Sequence, residues 1–372
     1  MSLSLPVDPP RARSLTGVVP QLFAALEGRS DWFAPATSAI VFVIDGLGAS
    51  NLAARSGHAR FLAQAGSKKD VVRTVFPSTT ATALTGLLTG APAGEHGIVG
   101  YRARMPGTDH VANQLRGYDT DGLPLTWQRA PRLVAAHPDR PRFAVSKSEY
   151  AGTGFTDVTL GEAEFVGVDD LTARVNRAAE LAAQHPGAFI YLYANDLDAI
   201  GHKRGWQSGE WIAALERVDA AARALASAVA GGTGVVVTAD HGMVDVPAHR
   251  QVLLSEGDEL LDGVHLIGGE PRMLHLYTNE GRAGAVLDAW RAAEGGRSWV
   301  MSRSEATDAG LFGPVSPEVE GRIGDVLVAA RSGIAYYDDR LSDKGAQKMV
   351  GQHGSLTNEE RIVPLLRLGA FA

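Results

Sequence analysis

An α/β fold built on a buried parallel sheet is what this chain predicts. Three runs carry that prediction: Ser38–Ile44 (SAIVFVI), Ala188–Ala194 (AFIYLYA) and Gly234–Ala239 (GVVVTA). Each is apolar without alternation, as a strand covered on both faces must be. Each runs into acids: Asp45, then Asn195-Asp196-Leu197-Asp198, then Asp240. Segments of helical spacing lie between them, and strands alternating with helices make a parallel sheet. A carboxylate at the C-terminal end of such a strand points into the crevice where open α/β sheets bind ligands.

Composition sets the outer limits. The chain has 372 residues, 45% hydrophobic and 21% charged, which is ordinary for a globular protein. Its formal net charge of −7 argues against a general nucleic-acid binder, so no nucleic-acid polymer is expected as partner. Small anionic substrates stay open, because a bound metal ion would dominate the local field. The chain has no cysteine, which removes disulfides, thiolate zinc sites and Cys nucleophiles. The opening MSLSLPVDPPRARSL lacks the basic start and long apolar run of a signal peptide, and no stretch is long enough to span a membrane. The expectation is a cytoplasmic protein without a membrane partner. Its oligomeric state leaves no trace in the sequence.

In chain order, Pro6–Pro10 is a loose lead-in and Leu15–Leu26 a helix. The strand Ser38–Ile44 ends in Asp45-Gly46-Leu47-Gly48. That turn resembles a dinucleotide-binding loop, but the third glycine is missing and Asp45 would face a pyrophosphate. Asn51–Ala65 reads as a helix returning to an extended Val71–Phe76. Ser78-Thr79-Thr80 then opens an apolar helix that ends at Thr89-Gly90. Hydroxyls at a helix N-terminus are caps, and they also sit among free N–H groups at the positive end of the dipole. Pro92 to Gly97 form a turn containing His96, and Arg102–Arg140 reads as surface loop. Arg142–Ser146 is a strand, the segment after it could line a substrate pocket, and Asp169–Gln184 is a helix.

After the second buried strand, Asp198 and His202 stand four apart and share a helical face, a natural pair of metal ligands. Gly209–Ala230 is a long amphipathic helix, and the third strand ends in Asp240-His241-Gly242. Three acids at three strand ends, two with a histidine nearby, are hard to explain by packing. Beyond Met243 the pattern gives an alternating run to Tyr277, a helix over Gly281–Glu294, a strand over Ile323–Ala330 and a closing strand over Ile362–Leu368. His353, set between Gln352 and Gly354 in a polar turn, fits a ligand or catalytic group better than a packed core histidine.

Asp45-Gly46, Thr80 with Thr89-Gly90 nine residues on, His96-Gly97, Asp198 with Gly201-His202, Asp240-His241-Gly242 and His353-Gly354 stand in a set order. In that order the chain resembles the alkaline phosphatase superfamily, and within it the type I phosphodiesterase and nucleotide pyrophosphatase family, over about residues 38–368. The resemblance implies one alkaline-phosphatase-like domain over 1–372. It is a three-layer sandwich with a central mostly parallel sheet and helices on both faces. Substrate-side loop insertions are expected at about 102–165 and 244–342.

The same resemblance implies a two-metal site. Asp198, His202 and His353 would hold one divalent ion. Asp45, Asp240 and His241 would hold the other, with Thr80 bound to it as nucleophile. Zinc is the expected metal, with manganese or iron as the family's other choices. Thr80 rather than Thr79 has the family's nine-residue spacing to a Thr-Gly. Tyr101 stands where the nucleotide pyrophosphatases carry an Asn that donates to the phosphate, and is the candidate substrate contact. The implied activity is hydrolysis of phosphoric diesters or pyrophosphates on a small substrate through a phospho-threonine. A phosphomonoesterase on the same site is the alternative, and it needs extra cations such as Arg272, Lys147 or Arg204. A non-catalytic metal-binding module is the remote one.

Overall fold

The three apolar runs become neighbours. The computed structural model describes residues 5–9 and 11–372, so Pro10 of the lead-in lies outside the described residues. Its main sheet has seven strands: β1 (Ser38–Ile44), β2 (Val71–Arg73), β3 (Arg142–Ser146), β4 (Glu164–Gly167), β5 (Phe189–Ala194), β6 (Thr233–Thr238) and β7 (Ile362–Gly369). Their order is β2-β7-β6-β1-β5-β3-β4. Strands β6, β1, β5, β3 and β4 run parallel, and β7 runs antiparallel to both β6 and β2. Every residue of β1, β5 and β6 is buried, which is why those runs show no alternation.

Helices pack on the sheet and on one another. Helix α1 (Val18–Leu26) packs on β1. Helix α2 (Thr80–Thr89) is buried along nearly its whole length, and α3 (Gly154–Leu160) packs against it. Helix α4 (Leu171–Gln184) is capped by Asp170, whose side chain accepts from the Ala173 N–H, and it packs on β5 and β3. Helix α5 (Asp196–Arg204) follows β5 directly. Helix α6 (Gly209–Ala228), capped by Ser208, buries Trp211, Ala214, Leu215, Val218, Ala222 and Leu225 at helical spacing and packs on α4.

One segment departs from the sequence reading, and another carries more strands than that reading gave. The helix expected over Asn51–Ala65 is two short helices, Ala49–Ala54 and Arg60–Gln64, broken across Gly57. Within the expected loop region 244–342 lies a four-stranded antiparallel sheet made of Val264–Glu270, Met273–Thr278, Ser298–Ser302 and Val326–Ala330. Its alternate residues enter two different cores. Leu327 and Ala329 join one with Met273 and Met301, while Val326 and Val328 join the other with Leu274, Leu276 and Trp290. Coverage on both faces explains the unbroken apolar run of its last strand. The region 102–165 holds a short hairpin, Arg102–Arg104 with Val111–Asn113, besides β3 and α3.

Candidate metal centre

Strand register brings the acids together. Val43 pairs with Thr238 and Ile44 with Ala194, so the residues just past β1, β6 and β5 leave the sheet side by side. The Asp45 N–H donates to Ala194 O at 2.9 Å. Gly46 then turns the chain at φ +76°, and a Cβ there would stand 3.2 Å from the Cα of Asp198. Any other residue would push the two acidic turns apart. Asp240 anchors the same turn, because its Oδ1 accepts from the N–H of Gly46 at 3.1 Å and of His241 at 3.0 Å.

Asp198 and His202 lie on one face of α5, with Nε2 3.3 Å from Oδ1. His353 arrives from the far end of the chain on a segment bridged to the lead-in of α2, where the Ser78 N–H donates to Gly354 O at 3.1 Å. Its Nε2 is 3.3 Å from His202 Nε2 and 3.9 Å from Asp198 Oδ1. His241 stacks on the His353 ring at 3.5 Å, and its Nε2 lies 3.4 Å from Asp45 and 3.3 Å from Asp240. The nucleophile candidate closes the group: Thr80 Oγ1 is 3.1 Å from His241 Nε2. Two sets have ligand atoms within 4.8 Å of one another, Asp45–Asp240–His241 and Asp198–His241–His353. His241 thus stands between the two halves, and His202 flanks the second.

The hydrogen bonds set what these groups present. His202 Nδ1 faces Gly351 O at 2.8 Å, His353 Nδ1 faces Ser78 O at 2.9 Å, and His241 Nδ1 faces Gly242 O at 3.1 Å. A carbonyl only accepts, so each Nδ1 carries a proton, and in the neutral ring each Nε2 turns its lone pair to the centre, that of His241 within reach of the Thr80 hydroxyl. The buried oxygens Asp45 Oδ1, Asp198 Oδ1 and Asp240 Oδ2 have no hydrogen-bond partner. The other Asp45 oxygen accepts from Tyr193 OH. Burial, then the nearby charges of Asp240 and Asp198, raises the Asp45 carboxyl well above its usual range. Burial, then His241 and His202, holds His353 well below the usual imidazole value. Bare nitrogens facing each other at 3.3 Å and orphaned carboxylate oxygens around them are a donor set that cations satisfy.

Thr80 is the first residue of α2. The residue before it, Thr79, makes no side-chain capping bond, and Ser78 spends its hydroxyl on Ser355 O at 2.7 Å. Of these three, only Thr80 lines a cavity of about 510 Å³ that also reaches Asp45 and Asp198.

Other expected residues stand elsewhere. Tyr101 is not in the cavity wall, and its backbone N–H donates to Glu270 Oε2 at 2.8 Å. His96 is fully buried, its Nδ1 accepts from the Ile98 N–H, and burial lowers it to about 3. Arg272 is committed to Glu360, with both contacts at 2.8 Å, and to the carbonyls of Ser332 and Ile334. Arg204 pairs with Glu210 at the surface across 3.7 Å, and Lys147 is outside the cavity wall. The cation that does line the cavity, Arg116, was missed, because it sits in a stretch without periodicity.

Residues 39–356 match the family described as Type I phosphodiesterase / nucleotide pyrophosphatase. The chain belongs to that family. It is therefore a metal-dependent hydrolase of phosphoric ester or pyrophosphate bonds, and its fold is alkaline-phosphatase-like. Solved structures agree on the fold. Murine ectonucleotide pyrophosphatase / phosphodiesterase 5 aligns with a TM-score of 0.69 at 20% identity, over 89% of this chain and 88% of that one. Phosphonoacetate hydrolase from Sinorhizobium meliloti 1021, in complex with phosphonoformate, aligns with a TM-score of 0.69 at 20% identity, over 90% of each chain. No curated protein sequence matches the chain. Among the described residues no helix is long and apolar enough to cross a membrane.

Proposed function

We propose that the protein is a phosphodiesterase that works through a phosphorylated Thr80. Asp198, His202 and His353 hold one divalent ion, and Asp45, Asp240 and His241 hold the other. The observation that carries this reading is the convergence of three inward Nε2 lone pairs and three orphaned carboxylate oxygens beside the Thr80 hydroxyl. A nitrogen- and oxygen-rich set of this kind suits zinc. When bound, such ions lower the pKa of an adjacent hydroxyl and neutralise charge on the phosphoryl oxygens.

The chain's own residues supply the rest. Thr80 Oγ forms a bond to phosphorus as the bond from phosphorus to the leaving oxygen breaks. The hydroxyl proton passes to solvent through the open cavity, and the departing oxygen takes one up. Water then cleaves the Thr80 Oγ–P bond, which restores the hydroxyl and releases the second product. The first turn of α2 has no side-chain cap, so its N–H groups face the phosphoryl oxygens. In the murine relative, a threonine-to-alanine variant is inactive and is in complex with AMP.

Diesters are favoured over monoesters by the charge of the wall. A monoester dianion asks for added cations. The cavity offers only Arg116, while Arg272 is consumed by Glu360. Rates on a nitrophenyl phosphodiester and a nitrophenyl phosphomonoester, with Thr80→Ala as blank, test the proposal on zinc-loaded protein. A diester preference that vanishes in the blank is expected. A monoester preference, or full activity in Thr80→Ala, overturns it.

A further inference from the structure

The cavity beside Thr80 is larger and more apolar than a phosphoryl group needs. It runs past Leu84 and Leu88, which share one face of α2, to Phe155 and Leu160 around α3. The threonine hydroxyls on that side are turned into their own segment. Thr159 Oγ1 donates to Phe155 O at 2.7 Å, and Thr156 Oγ1 donates to Tyr150 O at 2.8 Å. One buried hydroxyl is left over. Ser146, the last residue of β3, lines the cavity, is 3% exposed, and its Oγ has no partner. A buried hydroxyl without a partner is unfavourable until something in the cavity meets it.

The charges of the wall narrow the choice further. Apart from the residues assigned to the ions, they are one cation, Arg116, and two acids, Asp119 and Glu149. A pyrophosphate or nucleoside polyphosphate would bring further negative charge to a wall that is already net negative. A nucleobase has several donors and acceptors on its edge. Among the buried side-chain atoms of the wall outside the metal centre, Ser146 Oγ and Asn195 Oδ1 are the ones without a partner.

The geometry points to a phosphodiester of an apolar alcohol as the substrate. One ester arm, a hydrocarbon chain carrying a hydroxyl or carbonyl, lies along Leu84, Leu88, Phe155 and Leu160, with Ser146 Oγ on its polar atom. This substrate rests on the phosphodiesterase reading above.

Methyl, butyl and octyl p-nitrophenyl phosphates, compared on zinc-loaded protein, provide the test. The expected kcat/KM rises roughly fourfold for each methylene that enters the cavity, equivalent to about 0.8 kcal/mol, until the chain outgrows it. Leu88→Trp, which fills the wall, flattens that slope; the slope is a ratio within one variant, so a general loss of fold does not imitate it. Calorimetry on Thr80→Ala gives a readout free of turnover: octylphosphonate binds about 100-fold tighter than methylphosphonate, as three to four buried methylenes require. A methyl ester that is hydrolysed with no gain from longer chains overturns the apolar substrate and leaves the phosphodiesterase standing. So does a preference for thymidine 5′-p-nitrophenyl phosphate over the octyl ester. Failure to hydrolyse any of the esters overturns the phosphodiesterase reading, and this substrate with it.

Discussion

Replacing Asp240 by Asn should make the metal-free protein more stable and the metal-loaded protein less so. Asp240 is fully buried, and its Oδ1 accepts two backbone N–H groups, so in Asp240→Asn the amide oxygen must take that place. The amide nitrogen then falls where Oδ2 stands, 3.3 Å from His241 Nε2, which in the neutral ring is an acceptor because Nδ1 donates to Gly242 O. One orphaned oxygen is exchanged for a donor facing an acceptor. Leaving a buried group unsatisfied costs about 1–3 kcal/mol. For 372 residues at about 2.1 cal/mol/K each, the unfolding entropy is about 0.8 kcal/mol/K. The metal-free variant should therefore melt roughly 1–4 °C above wild type. An ion at a thousandfold excess over its Kd stabilises wild type by about 4 kcal/mol, or roughly 5 °C, and the variant should forgo that gain at this position. Thermal unfolding at pH 8, once with chelator and once with zinc, reads both numbers and should show the order of the two proteins reverse. A variant that melts lower without metal, or that keeps the full zinc shift, would refute the reasoning about which atoms face the centre.

Three further outcomes follow from named contacts. Thr80→Ala should lower turnover by about three orders of magnitude or more while zinc content, read by elemental analysis, stays at the wild-type level; full activity would remove Thr80 as nucleophile. His96 and His275 are buried, and burial lowers each to about 3, below the ordinary 6.5 of an unfolded chain. Their contribution is thus complete above about pH 6.5 and is lost as pH falls towards 3, at about 1.4 kcal/mol per pH unit each, so His96→Gln should flatten the acid limb of a Tm–pH curve by roughly 2 °C per unit. Arg272→Ala removes the cation paired with buried Glu360, which should cost about 3–5 kcal/mol and roughly 4–6 °C in Tm; a change under 1 °C would show that the Ser355 N–H and the Thr357 hydroxyl suffice to hold Glu360.

How much of this was legible follows from which forces placed each residue. Strands β1, β5 and β6 could be read because both faces are covered, so their sequences are apolar throughout. Asp45, Asp198 and Asp240 could be read because they stand where those strands stop, and the register of β1 with its two neighbours sets their turns side by side. The sheet within 244–342 could be read in part: the alternating run to Tyr277 and the apolar run to Ala330 are two of its four strands. Its first strand could not, because a register shift between Val264 and Leu266 breaks the alternation. The ribbon at Arg102–Arg104 is too short to show a period.

Within the site, the division falls between side chains and the backbone that orients them. The histidines could be picked out, but their readiness depends on the carbonyls of Gly351, Ser78 and Gly242, and two of these lie far from their histidine in sequence. A carbonyl carries no sequence code, since every residue has one. Ser146 and Arg116 were silent for a related reason. Neither belongs to a motif, and each matters only because β3, α2 and α3 enclose a common space with Thr80. A motif therefore locates the reacting atoms in this fold, while the choice of substrate sits on residues whose sequence neighbours say nothing about it. Substitutions that change which ester is hydrolysed should accordingly fall at positions such as Leu88, Ser146 and Phe155, and leave Asp45, Asp198 and Asp240 untouched.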